Sequence, residues 1–217
     1  MADGSYFVVI EGIDGAGKTS IAERLLQVLR QTHDDDVLLT QEPHDKSLVG
    51  AEIRQALKRE LTLTPLELAQ AFALNRSNHL KTRIEPHLQG TGRIVICDRY
   101  MLSSLVYQSR DDIGMKDVYS MNSRARAPDL TIVLRVNAVE AYHRMNQRKT
   151  SLELFENDLP TRLRKYQEGI ALLRQMGHDI VEVDGNGEIS DVFELVVEAM
   201  KRKKPPWLRI QQPLLLE

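Results

Sequence analysis

The sequence predicts an α/β fold, a five-stranded and mostly parallel sheet with helices on both faces. Two observations carry that expectation. Short apolar runs alternate along the chain with segments of helical period, the pattern left by strands joined through crossover helices. The first run also leads straight into a glycine-rich turn, with helical period resuming directly after it.

In chain order the apolar runs cover residues 6–10, 37–40, 93–97, 130–136 and 179–183, and helices are expected over 18–30, 48–59, 65–88, 138–147, 159–176 and 189–201. Pro65 suits a first helical turn because it brings no orphan N–H, and Thr64 can cap the helix before it. Pro86 is expected to kink or end that helix. A length of 217 residues suits one sizeable domain with a proper core, set here at residues 1–200, and leaves a tail over 201–217. That tail opens with four basic residues, breaks at Pro205 and Pro206, and ends in Trp207 and an apolar stretch. It reads as a segment packed on the domain surface or on a partner subunit.

Charge and hydropathy exclude some roles. With 29 Lys and Arg against 31 Asp and Glu, the formal net charge is -2, so no field gathers nucleic acid or a membrane surface. The start of the chain lacks a basic region followed by a long apolar run, and no stretch approaches the roughly 18 apolar residues of a membrane span. A cytoplasmic protein without nucleic-acid or membrane partners is expected. The single cysteine, Cys97, falls inside an apolar run and reads as a buried small hydrophobe.

Gly12-Ile13-Asp14-Gly15-Ala16-Gly17-Lys18-Thr19 fits the pattern G-x-x-x-x-G-K-[ST], with a strand before it and a helix after it. The glycines let the backbone close round a phosphate with its N–H groups turned inward, and the following helix adds the positive end of its dipole. Lys18 can then reach the β- and γ-phosphates, and the Thr19 hydroxyl is placed to ligate magnesium. The expected fold is thus that of the P-loop nucleoside triphosphatases, with ATP and Mg2+ as the implied ligands. No Asn-Lys-x-Asp guanine-reading motif occurs, and the D-x-x-G at Asp111 to Gly114 does not follow an apolar strand. Instead the third strand ends in Asp98-Arg99-Tyr100, which sets a carboxylate and a guanidinium beside the loop at the carboxyl edge of the sheet. Asp98 could hold the hydration shell of magnesium, and Arg99 has the fork geometry for a second phosphate.

These residues resemble the thymidylate kinase family from about Tyr6 to Met200. EGIDGAGKTS is similar to the family's P-loop, Ala71-Phe72-Ala73-Leu74-Asn75-Arg76 to its base-reading helix, and DRYMLSSLVYQ (98–108) to its third-strand signature. Pro128 to Ile132 resembles its fourth strand and Val183-Asp184 its fifth. The resemblance implies phosphorylation of thymidine monophosphate by ATP. It implies donor contacts from Gly12, Gly15, Ala16, Gly17, Lys18, Thr19 and Ser20. Phe72 would stack on the thymine ring, and Arg76, one helical turn later, would donate to a base carbonyl. Gln108 would meet the base edge, Tyr107 would crowd the ribose 2′ position, and Asp14 would accept from the 3′-hydroxyl. Arg54 and Arg99 would clamp the acceptor phosphate, with Glu42, Ser103 and Ser104 in support. A homodimer built from the helices over 48–59 and 65–88, and a cis bond between Glu42 and Pro43, are further implications. The sequence departs from the family at His44-Asp45, where Gly-Gly is usual, at Asp111 and Asp112, and at Arg135, where Asp is common.

An acceptor phosphate oxygen is already largely ionised at neutral pH, since its second pKa is about 6, so no general base is required. Catalysis then rests on holding two anions in line and neutralising the charge between them. Lys18 and Arg99 supply part of that charge. Some members of the family carry an arginine within the P-loop, where this chain has Gly15. The segment over about 144–157 resembles the family's lid, which implies that the remaining cation comes from there, with Arg148 opposite the transferring phosphate and Arg144 nearer the adenine or the hinge, Lys149 beside them. Two other readings stay open at this point: a kinase for another nucleoside monophosphate or a deoxynucleoside, and a non-catalytic nucleotide-binding regulator.

Overall fold

The computed structural model describes residues 4–44, 47–110, 112–147 and 159–210. Five strands form one sheet in the order β2-β3-β1-β4-β5: β1 (Tyr6–Glu11), β2 (Val37–Gln41), β3 (Ile94–Asp98), β4 (Leu130–Arg135) and β5 (Ile180–Asp184). All four pairings are parallel, with Ile10 opposite both Asp98 and Ile132. Residues of β1 and β3 are buried throughout, which is why both runs are apolar without alternation. From β1 the chain runs to β2 on one side, and from β3 it crosses over β1 to β4 on the other, so the loop after β1 sits at the topological switch point, where open parallel sheets bind ligands.

Helices cover both faces. On one, α1 (Lys18–His33) packs beside α9 (Ile189–Lys203). On the other, α5 (Met101–Gln108) lies between α8 (Leu159–Gln175), α3 (Pro65–His79) and α6 (Met115–Met121). Beside them run α2 (Leu48–Leu57), packed on α3, α4 (Glu85–Leu88), and α7 (Ala138–Gln147) after β4. Of these, α5 and α6 were not anticipated. They are eight and seven residues long, shorter than the window over which a helical period can be read.

The expected cap at Thr64 is present as a full capping box: its Oγ1 accepts from Glu67 N at 3.2 Å, and the Glu67 carboxylate accepts from Thr64 N at 2.7 Å. Pro86 does not end the long helix. The segment Leu80–Ile84 widens into a π-turn and α4 then runs on to Leu88, a device that accommodates the missing proline N–H without breaking the rod. The α2 helix stops at Leu57 instead of 59, followed by Arg59 in the left-handed region at φ 63. Cys97 is fully buried, and burial pushes its thiol well up. The tail as far as Ile210 packs on the domain itself. Leu208 is fully buried, Trp207 meets His33 edge-on at 6.0 Å, and Thr32 Oγ1 donates to the Arg209 carbonyl at 2.9 Å, which ties the tail to the end of α1.

Candidate active site

Three clusters of side chains stand at the carboxyl edge of the sheet. The first is the loop after β1. Gly15 takes φ +79, and a Cβ there would lie 2.5 Å from the Ala141 carbonyl oxygen of α7. Helix α7 therefore closes the place where a P-loop arginine would stand. Gly17, also left-handed at φ 87, is the N-cap from which α1 starts with Lys18. The Lys18 amine is buried and donates to the Ile13 carbonyl at 2.8 Å. Burial, then the nearby Arg99, pulls it down to about 8, against the opposing pull of Asp14, Asp98 and Glu11.

The Thr19 hydroxyl donates to Asp98 Oδ2 at 2.6 Å, while Asp98 Oδ1 is buried with no hydrogen-bond partner among the described residues. A hydroxyl and a carboxylate with an open oxygen form a hard-oxygen donor set, which suits a magnesium ion that keeps several waters and takes the rest of its ligands from phosphate.

The second cluster centres on Asp14. Arg99 leaves β3 in the left-handed region, φ 67, and this turn aims its guanidinium at Asp14 Oδ1. Its other nitrogen donates to Ser103 Oγ at 3.3 Å. The Tyr107 hydroxyl donates to Asp14 Oδ2 at 2.9 Å, and Arg162 of α8 stands 3.7 Å from the same oxygen. Burial alone would raise the Asp14 carboxyl. Arg99, Lys18, the Tyr107 hydrogen bond and Arg162 outweigh it and hold the group well below the usual carboxylate range. Behind this cluster Glu11, fully buried, accepts from Tyr100 N at 2.8 Å and from Ser103 N at 3.0 Å, and takes the Ser103 hydroxyl at 2.6 Å. It satisfies the free N–H groups that open α5 and so fixes where Arg99, Ser103 and Tyr107 point. The Tyr166 hydroxyl donates to the Gly12 carbonyl at 2.7 Å, tying α8 to the loop.

The third cluster surrounds Arg76, which is 1% exposed. Its Nε and Nη2 donate to Glu42 Oε2 at 2.8 and 2.6 Å, Nη2 also to Ser104 Oγ at 2.8 Å, and Nη1 to Asn122 Oδ1 at 2.7 Å. The guanidinium also lies over the Tyr100 ring. His79, fully buried, pairs with the other Glu42 oxygen at 3.3 Å and with Thr40 Oγ1 at 2.7 Å, and His44 stacks on it at 4.5 Å. Asn75 accepts from His44 N at 2.8 Å and donates to its carbonyl at 2.9 Å, which pins the loop after β2. The Glu42–Pro43 bond in that loop is cis, as expected.

The structure thus joins Thr19 to Asp98, joins Arg99 to Asp14 and Ser103 with Tyr107 on the same Asp14, and joins Arg76 to Glu42 and Ser104. Gln108 closes α5, 3% exposed, with a buried Oε1 that has no partner among the described residues. Phe72 is half-buried on α3, Arg54 is half-buried in the last turn of α2, and Ser20 lies in the first turn of α1. Arg144 stands beside the loop, its Nη1 4.0 Å from where a Cβ on Gly17 would lie; held by Glu140 at 2.6 Å, it donates to the Gly185 and Gly187 carbonyls at 3.0 and 2.9 Å, stapling α7 to the loop before α9. Arg148 and Lys149, with most of the expected lid, lie outside the described residues. Arg135 is exposed, within 3.4 Å of Glu182, and lines a cavity of about 470 Å3 between α8 and β4–β5 that reaches Gly12 and Ile13 of the loop. Sequence reasoning missed Glu11, His79, Asn122 and Arg162. For Glu11 a signal existed, a carboxylate closing an otherwise apolar strand; the others sit on helix faces with nothing local to mark them.

The family model described as Thymidylate kinase matches residues 10–196. A probable thymidylate kinase of Pyrococcus horikoshii is 34% identical over 203 residues, covering 91% of this chain and 97% of the relative. A thymidylate kinase of Ureaplasma parvum serovar 3 is 34% identical over 204 residues, covering 89% and 88% respectively. Among solved structures, the crystal structure of thymidylate kinase from Ehrlichia chaffeensis superposes with a TM-score of 0.67 at 26% identity, over 91% of this chain and 99% of that one.

Proposed function

Because this chain belongs to the thymidylate kinase family, we infer that it transfers the terminal phosphate of ATP to thymidine monophosphate, giving ADP and thymidine diphosphate. The observation that carries this reading is the meeting of a phosphate-binding loop with the Asp14–Arg99–Tyr107 cluster at one sheet edge. A donor phosphate on the loop and an acceptor phosphate at Arg99 would face each other there.

The loop N–H groups and the start of α1 hold the donor's β-phosphate. Lys18 swings from the Ile13 carbonyl to the phosphates when they arrive. Thr19 and Asp98 would hold magnesium, which would supply neutralising charge at the phosphates. Arg99 and Ser103 orient the acceptor phosphate for in-line attack, and no base removes a proton because none is left to remove. Phe72 and Gln108 line the base site. For Arg76 to donate to a base carbonyl it would exchange one present partner, Ser104 or Asn122. Arg148 completes the charge from the lid and Arg144 flanks the donor base. Two copies pair through α2 and α3, where Leu48, Leu66 and Leu74 are exposed. Among the described residues no helix is long and apolar enough to cross a membrane, and the protein works in the cytoplasm.

The test is ADP release with ATP and magnesium across the common nucleoside monophosphates and thymidine. Thymidine monophosphate should give the highest kcat/KM. Preference for another acceptor would overturn the substrate, and no turnover with any would overturn the reaction. A monomeric mass at micromolar concentration would overturn the dimer.

A further inference from the structure

Arg76 and Glu42 are paired one-sidedly. An arginine and a carboxylate commonly meet fork to fork, with two parallel N–H···O bonds to the two oxygens. Here Nε and Nη2 of Arg76 both reach Glu42 Oε2, at 2.8 and 2.6 Å. The other oxygen, Oε1, is turned to His79 Nδ1 at 3.3 Å. A carboxylate only accepts, so this contact calls for a proton on Nδ1, and in the neutral ring Nε2 then accepts the Thr40 hydroxyl at 2.7 Å.

The imidazole is held on three sides. It is fully buried on α3, tied to β2 through Thr40, and covered by the His44 ring, stacked at 4.5 Å and within 8° of parallel. The backbone of His44 is gripped in turn by Asn75, at its N–H and at its carbonyl. A ring fixed in this way cannot follow Glu42 if that side chain turns. With Oε1 held, Glu42 presents Oε2 to Arg76, and the guanidinium lies so that Nη2 also reaches Ser104 Oγ at 2.8 Å and Nη1 reaches Asn122 Oδ1 at 2.7 Å. These are the bonds of which Arg76 would exchange one for a base carbonyl. A Glu42 released by His79 would turn both oxygens to the fork, and the guanidinium would rotate away from Ser104 and Asn122.

We propose that His79 is a positioning residue for the acceptor's base, setting through Glu42 the direction in which Arg76 donates. The proposal rests on the reading of Arg76 as the group that meets a base carbonyl of a nucleoside monophosphate. It makes base recognition depend on the contact between α3 and β2 as well as on the residues that line the base site.

The rival account is that His79 only fills the space between α3 and β2. The two separate by where a replacement carries its N–H. The amide nitrogen of His79→Asn is bonded to Cγ, as Nδ1 is, and can still donate to Glu42. That of His79→Gln stands one bond farther out, at the level of Nε2 and toward Thr40, and His79→Leu has neither. In the ADP-release assay the KM for thymidine monophosphate should rise about three- to tenfold in His79→Gln and His79→Leu, the worth of one ordinary hydrogen bond, and stay within about a factor of two of wild type in His79→Asn. In all three, kcat and the KM for ATP should stay within about a factor of two. Deoxyribose 5-phosphate, which has the sugar and phosphate but no base, should inhibit wild type and variants alike.

Every variant loses the packing of the ring, so a filling role would make acceptor KM follow the thermal unfolding midpoint and ignore the position of the N–H. Acceptor KM raised equally in His79→Asn and His79→Gln, or in neither, overturns the proposal. So does a weakening of deoxyribose 5-phosphate in step with thymidine monophosphate. If thermal unfolding shows that His79→Leu is not native, the comparison of His79→Asn with His79→Gln decides alone. No turnover of thymidine monophosphate by wild type would overturn the functional reading and this proposal with it, whereas an active wild type whose variants ignore the N–H position would remove only His79.

Discussion

The donor loop and the acceptor wall share a sheet edge but are made of different material. The loop is backbone, three glycines, a lysine and a threonine within eight consecutive residues. The wall is side chains drawn from the loop after β2 and from α3, α5, α6 and α8, and they bond to one another: Arg76 to Glu42, Ser104 and Asn122, and Arg99 to Asp14. A donor phosphate would meet N–H groups already turned inward. An acceptor, in contrast, must exchange partners with groups that neutralise each other, so the wall holds its shape by charge pairing and is the more exposed to single substitutions.

The largest effect should come from the loop. Lys18→Ala removes the single loop cation, and kcat should fall by about a hundredfold to a thousandfold, as when one preorganised group facing a developing anion is lost. Thermal stability should stay near that of wild type, since the amine is bonded only to a loop carbonyl among the described residues. Near-normal turnover in that variant would mean the loop is not the donor site.

The wall should respond in the opposite way, in stability before turnover. Arg76→Ala leaves Glu42 buried without its guanidinium partner, and breaking a buried pair from one side costs about 3 to 5 kcal/mol. Urea denaturation measures this. A loss under about 1 kcal/mol, the scale of an exposed ion pair, would show that the wall is solvated and that the contrast with the loop is wrong.

The same contrast explains what the sequence made legible. The loop could be read from its own eight residues, because its chemistry is local, and Thr64 and Pro65 announced a helix start for the same reason. Residues of the wall could be named through family likeness, yet their partners could not. Nothing near Arg76 in sequence points to Asn122, and nothing near Asp14 points to Arg162, since those pairs are made by helix packing across 46 and 148 positions. Helix α5 was hidden by its length of eight residues, too short for a helical period to declare itself. Pro86 announced an irregularity in the long helix but not its form, a π-turn over Leu80–Ile84 in place of an end.

A moderate effect should appear with pH, and on the donor side. Burial and Arg99 bring Lys18 down to about 8 in the free protein. Bound phosphate would stabilise the charged amine and raise it again, so ATP binding should take up a proton above that pH and affinity should fall as pH rises through about 8. Between pH 7 and pH 9 the loss should approach about tenfold. Acceptor affinity should not follow it, because Asp14 is held well below the usual carboxylate range and Arg99 is held well above its ordinary value, so neither titrates in that window. Calorimetry in two buffers of different ionisation enthalpy checks the proton count. Parallel decline of both affinities would mean that the halves titrate together.

The smallest effect tests whether the two halves are separable at their point of contact. Asp14 belongs to the donor loop by sequence and to the acceptor wall by bonding, and Tyr107 is its uncharged partner there. Burial, the largest influence on the phenol, keeps it protonated, so it remains a hydrogen-bond donor across the working pH range. Tyr107→Phe removes that hydroxyl and leaves the ring on which Arg99 and Arg162 rest. Asp14 keeps both guanidiniums, so the loss should be that of one ordinary hydrogen bond, about 0.5 to 1.5 kcal/mol, or roughly two- to tenfold. It should be seen as a higher KM for the acceptor, since a less well held Asp14 lets Arg99 drift from the phosphate position. The KM for ATP should stay within about a factor of two, because Gly15 and Gly17 are fixed by backbone geometry that Tyr107 does not touch. If Tyr107→Phe raises both KM values by the same factor, Asp14 transmits strain into the loop, and donor and acceptor sites form one mechanical unit instead of two that meet.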